Sequence, residues 1–261
     1  MFMVRRSKKK RSSREDYMLR EQLKIEEGVF DERTMIRMGK LFAKGIIARL
    51  GFVISTGKEA DVYYAEGGKT VREKPVAVKI FRVETSNFER RMNYMVGDPR
   101  FGKVKGNVYA IVNEWCKKEF GNLKIAQVAK VHAPKPYAFN GNVLAIEFID
   151  DKGEPARPLR QETLEDPEKV LKVILADIKK LYANDLVHGD VSEYNILMSN
   201  GTPYIIDFGQ AVVLRHPKSE EFLERDVSNI LGYFSKQYGI VRDVVETVGW
   251  IKEAAPGQGK D

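Results

Sequence analysis

The sequence predicts an α+β chain of two lobes, β-rich first and α-rich second, and three features carry that prediction. Apolar runs bounded by turn residues fill 53–81 and 137–148, the pattern of strands. A polar stretch containing Gly and Pro follows at 150–158 and separates the halves. Beyond Asp166 the apolar residues recur at helical spacing almost to the end. With 261 residues, 43% of them hydrophobic, the chain has enough material for a large core or two lobes sharing a cleft.

In chain order, residues 1–14 come first and hold Arg5, Arg6, Lys8, Lys9, Lys10, Arg11 and Arg14 with no acid. Those seven charges equal the whole net charge of +7, so the remainder is close to neutral. The reading is a flexible basic arm, and two uses stand level: plain solvation, or salt-sensitive attraction to RNA phosphates. Residues 15–50 are expected to form one or two helices packed on the main domain, with Asp31 as an N-cap and Met35, Met38, Leu41 and Phe42 facing inward.

The N-terminal lobe is expected over 51–149. Strands are read from Val53 onward, through Val62-Tyr63-Tyr64 and the buried run Pro75–Ile80. Residues 82–113, with Gly97, Pro99, Gly102 and Gly106, read as a long, flexible, mildly basic loop running into a helix. A helix near 113–131 carries Trp115, Phe120 and Leu123, and a hairpin turns at Asn140-Gly141. The 150–158 stretch is a linker, and 159–261 is the helical lobe. Asp166 and Pro167 start a helix with the stripe Val170, Ile174, Ile178 and Leu181. A short hairpin turns at Asn200-Gly201, and two further helices carry Phe222 to Phe234 and Val244 to Ile251.

Composition excludes several classes. The single cysteine, Cys116, rules out an intramolecular disulfide framework and a cysteine zinc cluster, and reads as a core residue of a helix in a reducing compartment. No run approaches the roughly 20 apolar residues that span a bilayer. The expectation is a cytoplasmic protein without a membrane partner.

The strongest chemical segment is His188-Gly-Asp-Val-Ser-Glu-Tyr-Asn195, followed after the short hairpin by Asp207-Phe-Gly209. Phosphoryl transfer to a hydroxyl needs a carboxylate to orient the nucleophile or take its proton, and oxygen donors to hold Mg²⁺ against the phosphates. Asp190 suits the first task; Asn195 and Asp207 suit the second. His188 is assigned to orienting the loop backbone. Either motif alone is common by chance, but the two together in this context are not.

Lys79 lies in an apolar strand, where an unpaired ammonium is costly. Nucleotide phosphates and a helix carboxylate would satisfy it, with Glu119 the candidate and Glu114 the runner-up. Ser55-Thr-Gly-Lys-Glu-Ala-Asp-Val62 precedes that strand and places Ser55, Gly57 and Ala60 where small residues let backbone N–H groups approach phosphate, with Lys58 and Val62 beside them. A Walker loop does not fit, since Glu59 follows Gly57-Lys58 and Phe52 stands at the first glycine position.

Together, Ser-Thr-Gly-Lys-Glu-Ala-Asp-Val-Tyr, His-Gly-Asp-x-Ser-Glu-Tyr-Asn and Ile-Ile-Asp-Phe-Gly-Gln-Ala-Val resemble the RIO atypical protein kinases over roughly residues 50–235. The chain is most similar to the first RIO subfamily in its short, archaeal-type form. That resemblance implies a minimal bilobal protein-kinase-like fold whose truncated C-terminal lobe lacks the peptide-docking subdomains. It implies ATP and Mg²⁺, with Mn²⁺ as the alternative, and serine kinase or ATPase activity linked to small ribosomal subunit maturation. Precursor-subunit proteins and ribosomal RNA would be the partners. It carries Asp190 onto the catalytic aspartate, Asn195 and Asp207 onto the metal ligands, and Lys79 onto the phosphate lysine. Glu147 and Ile149 fall at the adenine-binding hinge, and Ile146 lines the pocket behind it.

Three departures bear on mechanism. Gly189 stands where most RIO kinases have alanine. Ser192 occupies the place where ordinary kinases carry a phosphate-neutralising lysine, a charge that Lys58 or the metal would then supply. No Ala-Pro-Glu follows Gly209, so self-phosphorylation or ATP hydrolysis on a large assembly is favoured over a generic peptide substrate. Asp207 is also a candidate phosphoryl acceptor. The rival readings are a small-molecule phosphotransferase of the aminoglycoside- or choline-kinase type, and an ATP-gated assembly factor with incidental catalysis.

Overall fold

The computed structural model describes residues 30–83, 88–101 and 107–254. The basic arm and residues 15–29 of the expected helical segment lie outside them. Asp31 starts the first helix, α1 (Glu32–Ala43), by accepting the Thr34 N–H at 2.7 Å. Met38 and Leu41 are fully buried, and Met35 and Phe42 pack at their edge.

Strand β1 (Ile47–Thr56) begins inside the segment expected to be helical, six residues before Val53. Its pairing with β2 (Ala60–Gly67) shifts register at three places, which breaks the period-two alternation that marks a strand. Burial of Ile46, Ile47 and Leu50 against α1 holds it in place.

Strands β1, β2, β3 (Val76–Phe81), β4 (Pro136–Asn140) and β5 (Val143–Glu147) form one antiparallel sheet in the order β1-β2-β3-β5-β4. Val62 pairs with Lys79 and Tyr64 with Ala77, while Leu144 and Ile146 flank the same two β3 residues from β5. Directly paired residues share a sheet face, so these six belong together. The β4–β5 turn is Gly141-Asn142, one residue beyond the expected position, with Gly141 at φ +61. Asn142 pins it there through bonds to Phe81 O (2.9 Å) and Thr34 Oγ1 (3.0 Å).

The stretch 82–113 is not one loop. It contains helix α2 (Phe88–Met95) and the first turn of α3 (Val108–Val128), which Asn107 caps at Ala110 N–H. Tyr94 packs on Trp115 and Phe222, tertiary contacts that the glycine-punctuated sequence does not announce. Cys116 is buried in α3. The linker is also structured. Strand β6 (Asp150–Asp151) pairs with β7 (Glu154–Pro155), and β8 (Arg157–Pro158) joins a second sheet by pairing with Met198 and Leu197.

In the second lobe, Asp166 caps α4 (Pro167–Ala183) through Lys169 N–H at 3.0 Å. Strands β9 (Ile196–Ser199) and β10 (Thr202–Ile205) close on Asn200-Gly201, both at positive φ, as a two-residue turn of this kind requires. Helices α5 (Ser219–Tyr238) and α6 (Val244–Lys252) complete it. One continuous core runs from Phe81 and Leu144 through α3 into α4 and α5, so α3 is shared by both lobes. The architecture is the α+β, two-lobed one that the sequence predicts. Among the described residues, no helix is long and apolar enough to cross a membrane.

Candidate active site

Lys79 sits in the middle of β3, and its Nζ donates to both oxygens of Glu119 on α3, each at 2.9 Å, and to Asp207 Oδ1 at 2.9 Å. Glu114 is only half-buried and accepts from Lys117 Nζ at 3.3 Å instead. Burial alone would pull the Lys79 ammonium down, but Asp207 and Glu119 override it and hold its pKa above the ordinary value. Burial pushes Glu119 up to about 7, with Lys79 opposing the rise. Burial would likewise raise Asp207, yet Lys79 beside it keeps this carboxyl below the usual range. One cation thus lies between two carboxyl groups. With both ionised, the trio carries a net negative charge.

Asp207 stands two residues beyond the end of β10 and adopts φ 65, ψ 65, left-handed geometry that a non-glycine residue holds only where its surroundings impose it. Its side chain keeps 43% of its surface exposed, so the carboxylate opens to the cleft. Asn195 stands opposite. Its Nδ2 donates to Asp190 O and Asp190 Oδ2, both at 2.9 Å, and its backbone carbonyl accepts the Ile206 N–H at 2.9 Å. With the amide nitrogen committed to Asp190, Asn195 Oδ1 is the atom suited to a cation. Asp190 Oδ2 also accepts from Gln210 Nε2 at 3.0 Å.

His188 donates from Nε2 to Ile206 O at 3.1 Å and meets Phe208 edge-on at 4.7 Å. Burial lowers its pKa to about 4, so the ring is neutral at pH 7. It ties the Asp190 loop to the residue before Asp207.

Two backbone supports escape the sequence reading. Asp226 on α5 accepts the N–H groups of Gly189 (2.7 Å) and Val191 (2.8 Å), bracketing Asp190. Its neighbour Arg225 donates to Gly189 O and to Tyr94 OH. The available signal was a carboxylate within the stripe Phe222, Asp226, Ile230, Phe234, where a buried acid needs donors.

On the nucleotide side, Ser55, Gly57 and Lys58 lie at the exposed tip of the β1–β2 hairpin, which closes through Gly57 N–H to Ala60 O at 3.0 Å. Val62 shares the sheet face of Lys79, and Ile146 that of Ala77. Glu147 N–H is bonded to Lys135 O, and Ile149 O accepts from Ala156 N–H. At this end Phe52 stacks on Tyr64 at 5.0 Å, and Tyr64 meets Phe148 edge-on.

The family model described as "RIO domain" matches residues 61–247, which include Lys79, Glu119, Asp190, Asn195 and Asp207. The chain belongs to the RIO family. It is 42% identical over 217 residues to the RIO-type serine/threonine-protein kinase Rio1 of Haloferax volcanii, covering 83% of this chain and 74% of that one. The Methanocaldococcus jannaschii protein of the same description is 38% identical over 237 residues, covering 90% of this chain and 80% of the other. Human serine/threonine-protein kinase RIO1 is 33% identical over 87% of this chain but only 40% of its own length. Among solved structures, a Rio2 kinase–ADP/Mg²⁺–phosphoaspartate complex from Chaetomium thermophilum superimposes with a TM-score of 0.69 at 24% identity, covering 87% of this chain and 67% of that one. A second Rio2 kinase structure from the same organism gives 0.71 at 23%, covering 90% and 73%. These two neighbours establish the kinase-like fold. This RIO-family chain is a phosphotransferase.

Proposed function

We propose that the chain transfers the γ-phosphoryl group of ATP, bound with Mg²⁺, to a serine or threonine hydroxyl, its own included, or to water. The observation that carries this reading is Lys79 bridging Glu119 and Asp207 while Asn195 turns its amide nitrogen onto Asp190. Lys79, oriented by Glu119, would contact the α- and β-phosphates. Asp190, held by Asn195 and Gln210, would orient the incoming hydroxyl and accept its proton. Val62 and Ile146 would flank the adenine. Ile149 O is occupied by Ala156, which leaves the Glu147 carbonyl and Ile149 N–H as the hinge groups suited to reading the base.

The donor set fits a hard divalent cation: Asp207 contributes carboxylate oxygen, Asn195 contributes Oδ1, and with Glu119 ionised the trio around Lys79 bears net negative charge. Bound there, Mg²⁺ would neutralise charge on the phosphate oxygens. Mn²⁺ has the same oxygen preference. Asp207 is also our candidate for a transient phosphoryl acceptor, a reading that the phosphoaspartate of the Rio2 complex supports. Acid-labile, hydroxylamine-sensitive label on the protein would establish it, and label stable to hydroxylamine would remove it.

For the physiological setting, the proposal is maturation of the small ribosomal subunit in the cytoplasm, with the basic arm at 1–14 attracting ribosomal RNA. The deciding experiment is single-turnover [γ-³²P]ATP assay with and without small subunits. Stimulated hydrolysis or transfer to protein supports the reading. Transfer only to an amino alcohol or aminoglycoside would overturn it.

A further inference from the structure

Helix α3 does more than present Glu119. One residue earlier, Lys118 sends its Nζ to Gly209 O at 2.8 Å and to Ala211 O. Asn122, one turn later, donates from Nδ2 to Phe208 O at 2.8 Å and Ala211 O at 2.9 Å. Two side chains of one helix therefore hold three carbonyls within four residues of the segment that follows Asp207. Both are buried, Lys118 at 1% and Asn122 at 0% exposure. A Cβ on Gly209 would come within 2.8 Å of Trp115 Nε1, so the segment lies directly against the helix.

The hold reaches further out. Asn122 Oδ1 accepts from Arg100 Nη1 at 2.7 Å, and Arg100 is itself forked onto the buried Asp98 at 2.9 and 2.7 Å. This chain of bonds runs from the segment between α2 and α3 to the turn after Asp207. Phe208–Gln210 is a single 3₁₀ turn, which has few internal hydrogen bonds to fix the residue before it. Sinking an ammonium among neutral carbonyls is costly, and burial pulls Lys118 down to about 7. The donors supplied by α3 compensate for what the short turn lacks.

We propose that Lys118, Asn122 and Arg100 are positioning residues that set the Asp207 carboxylate for metal uptake from the same helix that orients Lys79 through Glu119. The proposal rests on the reading of Asp207 as a metal ligand. It makes the Lys79 partner and the metal-binding turn one rigid unit, with Arg100 its outermost support.

The test titrates Mg²⁺ into the full chain at fixed ADP, following nucleotide uptake by calorimetry, with ADP binding in EDTA as the control. Asn122→Ala removes two buried donors and should raise the Mg²⁺ midpoint about tenfold without changing metal-free ADP affinity. Arg100→Ala breaks the link to Asn122 Oδ1 and also leaves the buried Asp98 without its cation; being further from Asp207, it should move the midpoint a few-fold in the same direction. Folded variants with wild-type midpoints overturn the proposal, as does an equal loss of metal-free affinity, which is what general loosening would produce. Should Asn122→Ala fail to fold, Arg100→Ala decides by the same criterion. Wild-type protein that takes up no magnesium–nucleotide sinks the proposed function itself, whereas wild-type uptake matched by both variants sinks only the positioning roles.

Discussion

Lys79 and Glu119, 40 residues apart in sequence, meet with both carboxylate oxygens at 2.9 Å from one ammonium. Lys79→Met would leave Glu119 and Asp207 facing each other without their cation. Breaking a buried pair this way costs about 3–5 kcal/mol when the remaining acids are ionised. Glu119, already raised to about 7, escapes the cost by taking a proton. Urea unfolding should therefore show a large deficit at pH 8 that shrinks toward pH 6; an equal deficit at both would contradict the arrangement.

His188 adds a second pH dependence. Burial takes its pKa from the ordinary imidazole value of about 6.5 down to about 4 in the fold. The unfolded chain binds more protons between those values, so this contribution is full above pH 6.5 and is lost as pH falls toward 4. In nucleotide-free protein, the stability advantage of wild type over His188→Gln should shrink by about 3 kcal/mol between pH 7 and 4.

Asp226 brackets Asp190 by holding the N–H groups on either side of it. Asp226→Ala strands both donors in the interior, at a cost of about 1–3 kcal/mol each. Turnover should fall more than ATP affinity, because the displaced group is Asp190 and not the phosphate lysine. Steady-state kcat and KM for ATP check this; a rise in KM alone would point elsewhere.

Gly189 sits at φ +76, and a Cβ there would stand 3.3 Å from Gln210 O. Gly189→Ala should cost about 1–2 kcal/mol from left-handed backbone strain. The protein should still fold, with a lowered denaturation midpoint and an unchanged m-value.

Much of the site is legible in the residues because its chemistry is local in sequence. Asp190 and Asn195 share one loop, and Asp207 follows after a hairpin whose Asn200-Gly201 turn permits only a tight reversal. Elements held by tertiary contact were harder to read. The early start of β1 is masked by its register shifts, and α2 depends on Tyr94 reaching Trp115 and Phe222.

What the amino-acid order determines by itself is the α+β succession and the identities of the ionisable groups, since propensity, capping and spacing act over a few residues. Only the tertiary structure decides that Glu119, not Glu114, faces Lys79. The same holds for Asp226, Lys118 and Asn122, which turn inward onto backbone groups of the two functional loops. Helical periodicity names the face on which a side chain lies. Which distant carbonyl or ammonium fills the space opposite is set by how the two lobes pack around α3.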